Sequence, residues 1–135
     1  VEGGRFRGCG DKGVSVGEAS RVLLRDSRFE GCRYGVQAKD ASLALLRGSR
    51  LERNTIGVHA YRKKPMFELG GVVFLLGTEV SGSAATDLSL EEHCAAALLE
   101  GARVETIGVG ARRVRRLSDA SAFTDLERAL LAAIP

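Results

Sequence analysis

The chain is 135 residues long and 44% hydrophobic, enough for one core and too little for several domains. Its 20 basic and 17 acidic side chains leave a net charge of +3, a mixed surface rather than the strongly basic one of a nucleic-acid binder. No apolar run approaches the ~20 residues that span a bilayer, and three cysteines are too few for a disulfide framework.

In chain order the elements repeat with a period of about 22 residues, carried by Gly13-Val14-Ser15-Val16, Gly35-Val36-Gln37-Ala38 and Gly57-Val58-His59-Ala60. A fixed period of this length is the mark of stacked repeats. The first full coil covers residues 5–26, the second 27–48 and the third 49–77, which carries an insertion. A fourth runs over 78–101, slipping by one residue near Asp87, and a partial fifth starts at Ala102. Each coil opens with a short strand whose central apolar residue is Phe6, Phe29, Leu51, Val80 or Val104. A bend follows, holding Cys9, Cys32, Asn54 and Ser83 in one column. The second strand alternates Val14, Val36, Val58 and Leu88 with polar residues and with Val16, Ala38, Ala60 and Leu90, the period-two signal of a half-buried strand. A third strand reads Val22-Leu23-Leu24, Ala44-Leu45-Leu46, Val73-Phe74-Leu75 and Ala97-Leu98-Leu99. Three short strands per turn predict a three-sided parallel β-helix over residues 1–110. After a basic segment, residues 111–135 end in a helix: Ser118 or Asp119 can cap it, and Phe123, Leu126, Leu130 and Ile134 share one face.

The recurring phrase SRFEGCRYGVQAKDASLALLRG and its degenerate copies resemble the right-handed parallel β-helix repeat proteins of the pectin-lyase-like superfamily. The resemblance implies an all-β, right-handed parallel β-helix of about four to five coils with a C-terminal α-helix. It favours a cell-surface or extracellular setting in a bacterial protein. It is specific for fold and says little of activity, because core and turn residues are shared by unrelated functions. Val1 opens the chain inside a turn-rich phrase, so the chain reads as a piece of a longer parent protein.

Stacking turns each column of equivalent residues into a stripe about 4.8 Å from rung to rung. The outward column of the second strand is Ser15, Gln37, His59 and Ser89, flanked by Gly17, Lys39, Tyr61 and Glu91 and by Lys12, Tyr34 and Ile56. Polar, aromatic and basic groups on one flat face suit a saccharide, whose hydroxyls need hydrogen bonds and whose ring faces need an aromatic partner. The insertion from Arg62 and Lys63 to Phe67 leaves the coil beside this face. Gln37, Lys39, His59, Tyr61, Arg62 and Lys63 are therefore the candidate ligand residues, beside the plainer reading of a solvated surface.

Catalysis has requirements that the columns do not meet. Glycoside hydrolysis needs two convergent carboxyl groups, and the outward columns of this face hold only Glu91. Glu18, Asp40 and Glu92 recur as turn acids before small residues. Hard cations need several oxygen ligands and zinc four donors, and neither set is clustered, so no cofactor or metal is expected. The sequence thus predicts a non-catalytic binding or structural scaffold for a glycan or protein partner. The alternative is a fragment of a polysaccharide lyase or glycoside hydrolase with its catalytic residues elsewhere.

Three further features carry expectations. Cys9 and Cys32 are stacked equivalents, read as free inward thiols with disulfide-compatible spacing as the alternative. Arg112, Arg113, Arg115 and Arg116 lie after the last coil and read as a solvated segment blunting a sheet edge, not a nucleic-acid site. With Val22 and Leu24 inward, Leu23, Leu45, Phe74 and Leu98 form an outward apolar stripe. Phe123, Leu126 and Leu130 of the tail helix are its expected cover, and a partner protein the alternative.

Overall fold

The computed structural model describes residues 1–64, 66–119 and 121–132, with nothing said of the side chains of Ala122, Leu130 and Leu131. Among the described residues fourteen strands and a closing helix follow in order: β1 (Arg5–Arg7), β2 (Lys12–Val16), β3 (Arg21–Arg25), β4 (Arg28–Glu30), β5 (Tyr34–Lys39), β6 (Leu43–Arg47), β7 (Arg50–Glu52), β8 (Ile56–Tyr61), β9 (Val72–Leu76), β10 (Glu79–Ser81), β11 (Thr86–Leu90), β12 (Ala95–Leu99), β13 (Arg103–Val104), β14 (Val114–Arg116) and α1 (Ser121–Ala132). A 3-10 turn, Ala111–Arg113, precedes β14. The strands form three parallel sheets, ordered β1-β4-β7-β10-β13, β2-β5-β8-β11 and β3-β6-β9-β12-β14. Up to β13 successive strands step from sheet to sheet and every third returns beside its predecessor, and β14 then joins the third sheet beside β12, an arrangement consistent with a parallel β-helix.

Inward columns fill the space between the sheets. Phe29, Leu51 and Val80 come from the first, Val36, Val58 and Leu88 from the second, and Leu24, Leu46 and Leu75 from the third, all fully buried. Phe6 and Phe29 stack face to face, centroids 4.7 Å apart, because the register sets identical side chains one above the other. Polar columns also run through the interior. Ser49 Oγ accepts the Ser27 N–H at 3.2 Å and Thr78 Oγ1 accepts the Ser49 N–H at 3.3 Å, so each hydroxyl satisfies the corner amide of the preceding repeat.

The glycines of the repeat phrase have a steric cause. A Cβ on Gly35 would lie 2.6 Å from the Gly57 carbonyl oxygen and 2.9 Å from Leu51, and Gly13 and Gly57 are similarly crowded. In the fourth repeat Asp87 takes that column, where no further strand is stacked above. Its buried carboxylate accepts the N–H groups of Ser83, Glu105 and Thr106. The segment 105–113 then closes the edge of β11: Gly108 N–H bonds Leu88 O, Leu90 N–H bonds Val109 O, and the Arg113 guanidinium donates to Leu90 O at 2.7 Å.

The third sheet corrects the sequence reading at two places. Phe74 pairs with Ala97 and Leu75 with Leu98. The outward stripe is therefore Leu23, Leu45, Phe74 and Ala97, while Leu98 packs inside with Leu24 and Leu46. Leu99, expected inside, faces out beside Leu76. Three consecutive alanines, Ala95 to Ala97, hide the alternation that would have fixed this register. The basic segment does not follow the last repeat either. Val114, Arg115 and Arg116 pair with Ala96, Ala97 and Leu98 as the outer strand of the sheet.

Phe123 and Leu126 of α1 lie on the outward cluster of Leu23, Leu45, Leu76, Ala97 and Leu99, with the Phe123 ring 4.5 Å from that of Phe74. Glu127, buried on the same side, bonds Arg47 Nε at 2.5 Å and faces Arg25 Nε at 3.5 Å. Asp119 Oδ1 accepts the Ser121 N–H at 2.9 Å at the start of the helix. Ile134 lies outside the described residues, and Leu130 is placed in α1 by its backbone alone.

Candidate functional site

The second sheet presents its outward column as a connected network. In β5 and β8, Gln37 pairs in register with His59 and Lys39 with Tyr61. Gln37 Nε2 donates to His59 Nδ1 at 2.7 Å, which places the ring proton on Nε2, where it meets the Glu91 carboxylate. His59 is also held between two aromatic rings: Tyr34 at 5.1 Å and 22°, Tyr61 at 5.0 Å and 11°. The Arg33 guanidinium sits 5.4 Å from the Tyr34 ring centroid. Both ring nitrogens and both ring faces of His59 are thus engaged. Each member of the stack is carried on a strand, and His59 is 8% exposed.

Beside the stack opens a cavity of about 590 Å³, lined by Ile56, His59, Arg62, Ser89, Glu91, Glu92, His93 and Val109. This volume is in the range of small-molecule clefts. Its floor is the fourth repeat of the sheet, one wall is the closing segment at Val109, and Arg62 stands at the start of the connection between β8 and β9. That connection is fixed by a fully buried residue, Asp40, whose Oδ1 accepts the N–H groups of Lys63 at 2.7 Å and Lys64 at 2.9 Å. The Lys64 ammonium pairs with Glu18, and Glu18 raises the lysine's pKa by that bond. Arg62 Nη1 donates to Phe67 O at 3.3 Å. Asp40 and Glu18, read from sequence as turn acids, are the supports of the insertion.

The six expected ligand residues separate into three groups. His59, Tyr61 and Arg62 meet at the stack and cavity. Gln37 is 4% exposed and bonded to His59, set behind the imidazole and away from the cavity lining. Lys39 extends over the preceding repeat, its Cε 3.2 Å from where a Gly17 Cβ would stand, and Lys63 is exposed on the insertion away from the cavity lining. Lys12 lies on the Tyr34 side; its hydrogen bond to Asp11 at 2.9 Å raises its pKa. Among the stripe residues, Leu23, Leu45 and Phe74 are covered by Phe123 and Leu126.

Glu92, His93 and Val109 join the lining without any signal in the sequence pattern. Glu92 and His93 occupy a corner where His93 takes a left-handed backbone, φ 66°, as Ala19 and Ala41 do at the equivalent corners, and so read as turn residues. From that corner Glu92 adds a second carboxylate to the cavity lining beside Glu91. Glu91 is committed to His59, and among the described residues the Glu92 carboxylate has no bonding partner. A Ser-His-Glu relay is not assembled, because Gln37 and Glu91 take the two imidazole nitrogens and Ser89 bonds neither. Among the described residues no group of three or more metal-ligating side chains converges, and no helix is long and apolar enough to cross a membrane.

No family model matches the chain, and no curated protein or solved structure matches it significantly.

Proposed function

We propose that this chain is a non-catalytic module of a right-handed parallel β-helix, of the pectin-lyase-like type, with four to five coils, and that its second-sheet face binds a glycan. Right-handedness follows the rule for parallel strands joined by crossovers within one sheet. The observation that carries the binding reading is the Tyr34–His59–Tyr61 stack set beside a polar cavity. Aromatic edges and faces suit the C–H surface of a sugar ring, Ile56 and Val109 offer apolar contact, and Arg62, Glu92 and His93 offer hydrogen bonds to hydroxyls. In this reading the module acts as a binding scaffold in a cell-surface or extracellular setting.

The enzyme reading, a fragment of a glycoside hydrolase or lyase, has Glu92 in its favour. A pair of carboxyl groups with one member held by His59 is a poor acid and base couple. The test is a saccharide-array screen of the chain followed by calorimetric titration of the best ligand. Tyr61→Ala and Arg62→Ala should each weaken binding at least about tenfold, as expected for losing one central contact. Unchanged affinity in both variants would remove this face from consideration.

A further inference from the structure

The bend after the first strand of each repeat carries a column of Cys9, Cys32, Asn54 and Ser83. Asn54 shows what the position does. Its Oδ1 accepts the Cys32 N–H at 2.9 Å and its Nδ2 donates to Phe29 O at 3.2 Å, tying two repeats together with one buried amide. One repeat earlier Cys32 stands in the same place, with Sγ 3.9 Å from Phe6 O, the carbonyl in register with that of Phe29. A thiol is a much weaker donor and acceptor than an amide. The tie between the first two repeats is therefore weak in the reduced state, where an asparagine would have made it strong.

What the thiol has instead is a second thiol over it. β1 and β4 pair from Arg5 with Arg28 to Arg7 with Glu30. The register continues round the bend, where Gly8 N–H bonds Glu30 O at 2.9 Å and Gly31 stacks on Gly8. Equivalent residues so stacked are separated by about 4.8 Å, inside the Cα spacing of about 4.4–6.8 Å that a disulfide accepts. Cys9 is half-buried and reachable, while Cys32 is 2% exposed. Burial, with the neighbouring Cys9 thiol adding to it, pushes the Cys32 thiol up to about 11. Cys94, the remaining cysteine, is buried far along the chain at the corner before β12.

We propose that Cys9 and Cys32 are a redox-responsive cross-link that closes by exchange with a small disulfide such as oxidised glutathione. The Cys9 thiolate attacks one sulfur of the glutathione disulfide, forming a mixed disulfide and releasing one glutathione thiolate. Cys32 then gives its proton to solvent and attacks the Cys9 sulfur, displacing the second glutathione as thiolate. One small disulfide is reduced to two thiols as the two protein thiols become one disulfide, and excess reduced glutathione reverses both steps. Closure staples the first repeat, whose strands β1 and β2 have a neighbour on one side only, to the second.

The full chain is equilibrated with graded ratios of oxidised to reduced glutathione, quenched with an alkylating reagent and mapped by peptide mass spectrometry, with Tm measured in parallel. The expected result is one internal Cys9–Cys32 disulfide, alkylated Cys94, and a Tm about 5–10 °C above the reduced form, reversible by reductant. Cys9→Ser should abolish the shift and leave Cys32 unmodified. Cys32→Asn should abolish the redox response and raise the Tm of the reduced protein, since it restores the amide tie seen at Asn54. A stable glutathione adduct at Cys9, a disulfide involving Cys94, or cross-linking with no change in Tm would each overturn the proposal.

Discussion

Replacing Glu127 by alanine is the sharpest probe of how α1 is held. Its carboxylate, 9% exposed, bonds Arg47 Nε at 2.5 Å and faces Arg25 Nε at 3.5 Å, and these arginines are 25% and 33% exposed. A fully buried charge-assisted bond contributes about 1.5–3 kcal/mol. Partial exposure of the arginines, and the second partner that Arg47 keeps in Glu100, place the loss at the lower end, about 1.5–2 kcal/mol. Glu127 ties α1 to the third sheet, so the amides of α1 itself register the loss most directly. Native-state hydrogen exchange of α1 should accelerate about 10- to 30-fold, while the amides of β5 and β8 change little. A double-mutant cycle with Arg47→Ala should return a coupling of about 1 kcal/mol or more. An effect no larger than that of Asp125→Ala, an exposed acid on the same helix, would refute the clamp.

Three further outcomes follow from the same geometry. Gly35→Ala forces a Cβ against the Gly57 carbonyl oxygen and Leu51; urea denaturation should show a loss of at least about 2 kcal/mol, and a neutral result would contradict the steric account of the repeat glycines. Asp87→Ala strips three backbone N–H groups of their acceptor and should cost about 3 kcal/mol, with Asp87→Asn recovering part of it in the same assay. The Ser121 N–H, bonding the Asp119 carboxylate, holds the Asp119 pKa below the usual carboxylate range. A depressed folded value means that this contribution is full above the ordinary aspartate range and fades as pH falls through the lowered one. Helicity of α1 by circular dichroism should thus decline from about pH 4 downward, and the decline should be smaller in Asp119→Asn.

The repeat was legible because sterics and burial act on the same residues in every coil. Gly13, Gly35 and Gly57 sit where a Cβ would strike the next strand, and Val14, Val36, Val58 and Leu88 sit where only apolar groups fit. That regularity located the sheets, the outward face with His59 and Tyr61, and the apolar column under α1. It fails where residues are too alike to carry phase: Ala95, Ala96 and Ala97 allow either register, so the pattern does not reveal that Leu98 faces inward. It also fails where a side chain's role depends on the neighbouring connection. Asp40 looks like any turn acid until the insertion folds back and presents two amides to it. Gln37 occupies an outward position, yet it is buried and bonded to His59, and no pattern along the strand announces that. Arg115 and Arg116 read as a tail because a strand of three residues bearing two charges lacks an apolar period.

The measurement that reaches furthest is prolonged incubation of the chain with the glycan that it binds best, with the saccharide recovered and sized by mass spectrometry alongside equilibrium binding. Saturable binding with the glycan recovered at its original length, and binding lost in Tyr61→Ala, is the predicted result. Shortened or unsaturated products that vanish in Glu92→Gln, or no saccharide bound at any concentration, would contradict a non-catalytic glycan-binding face.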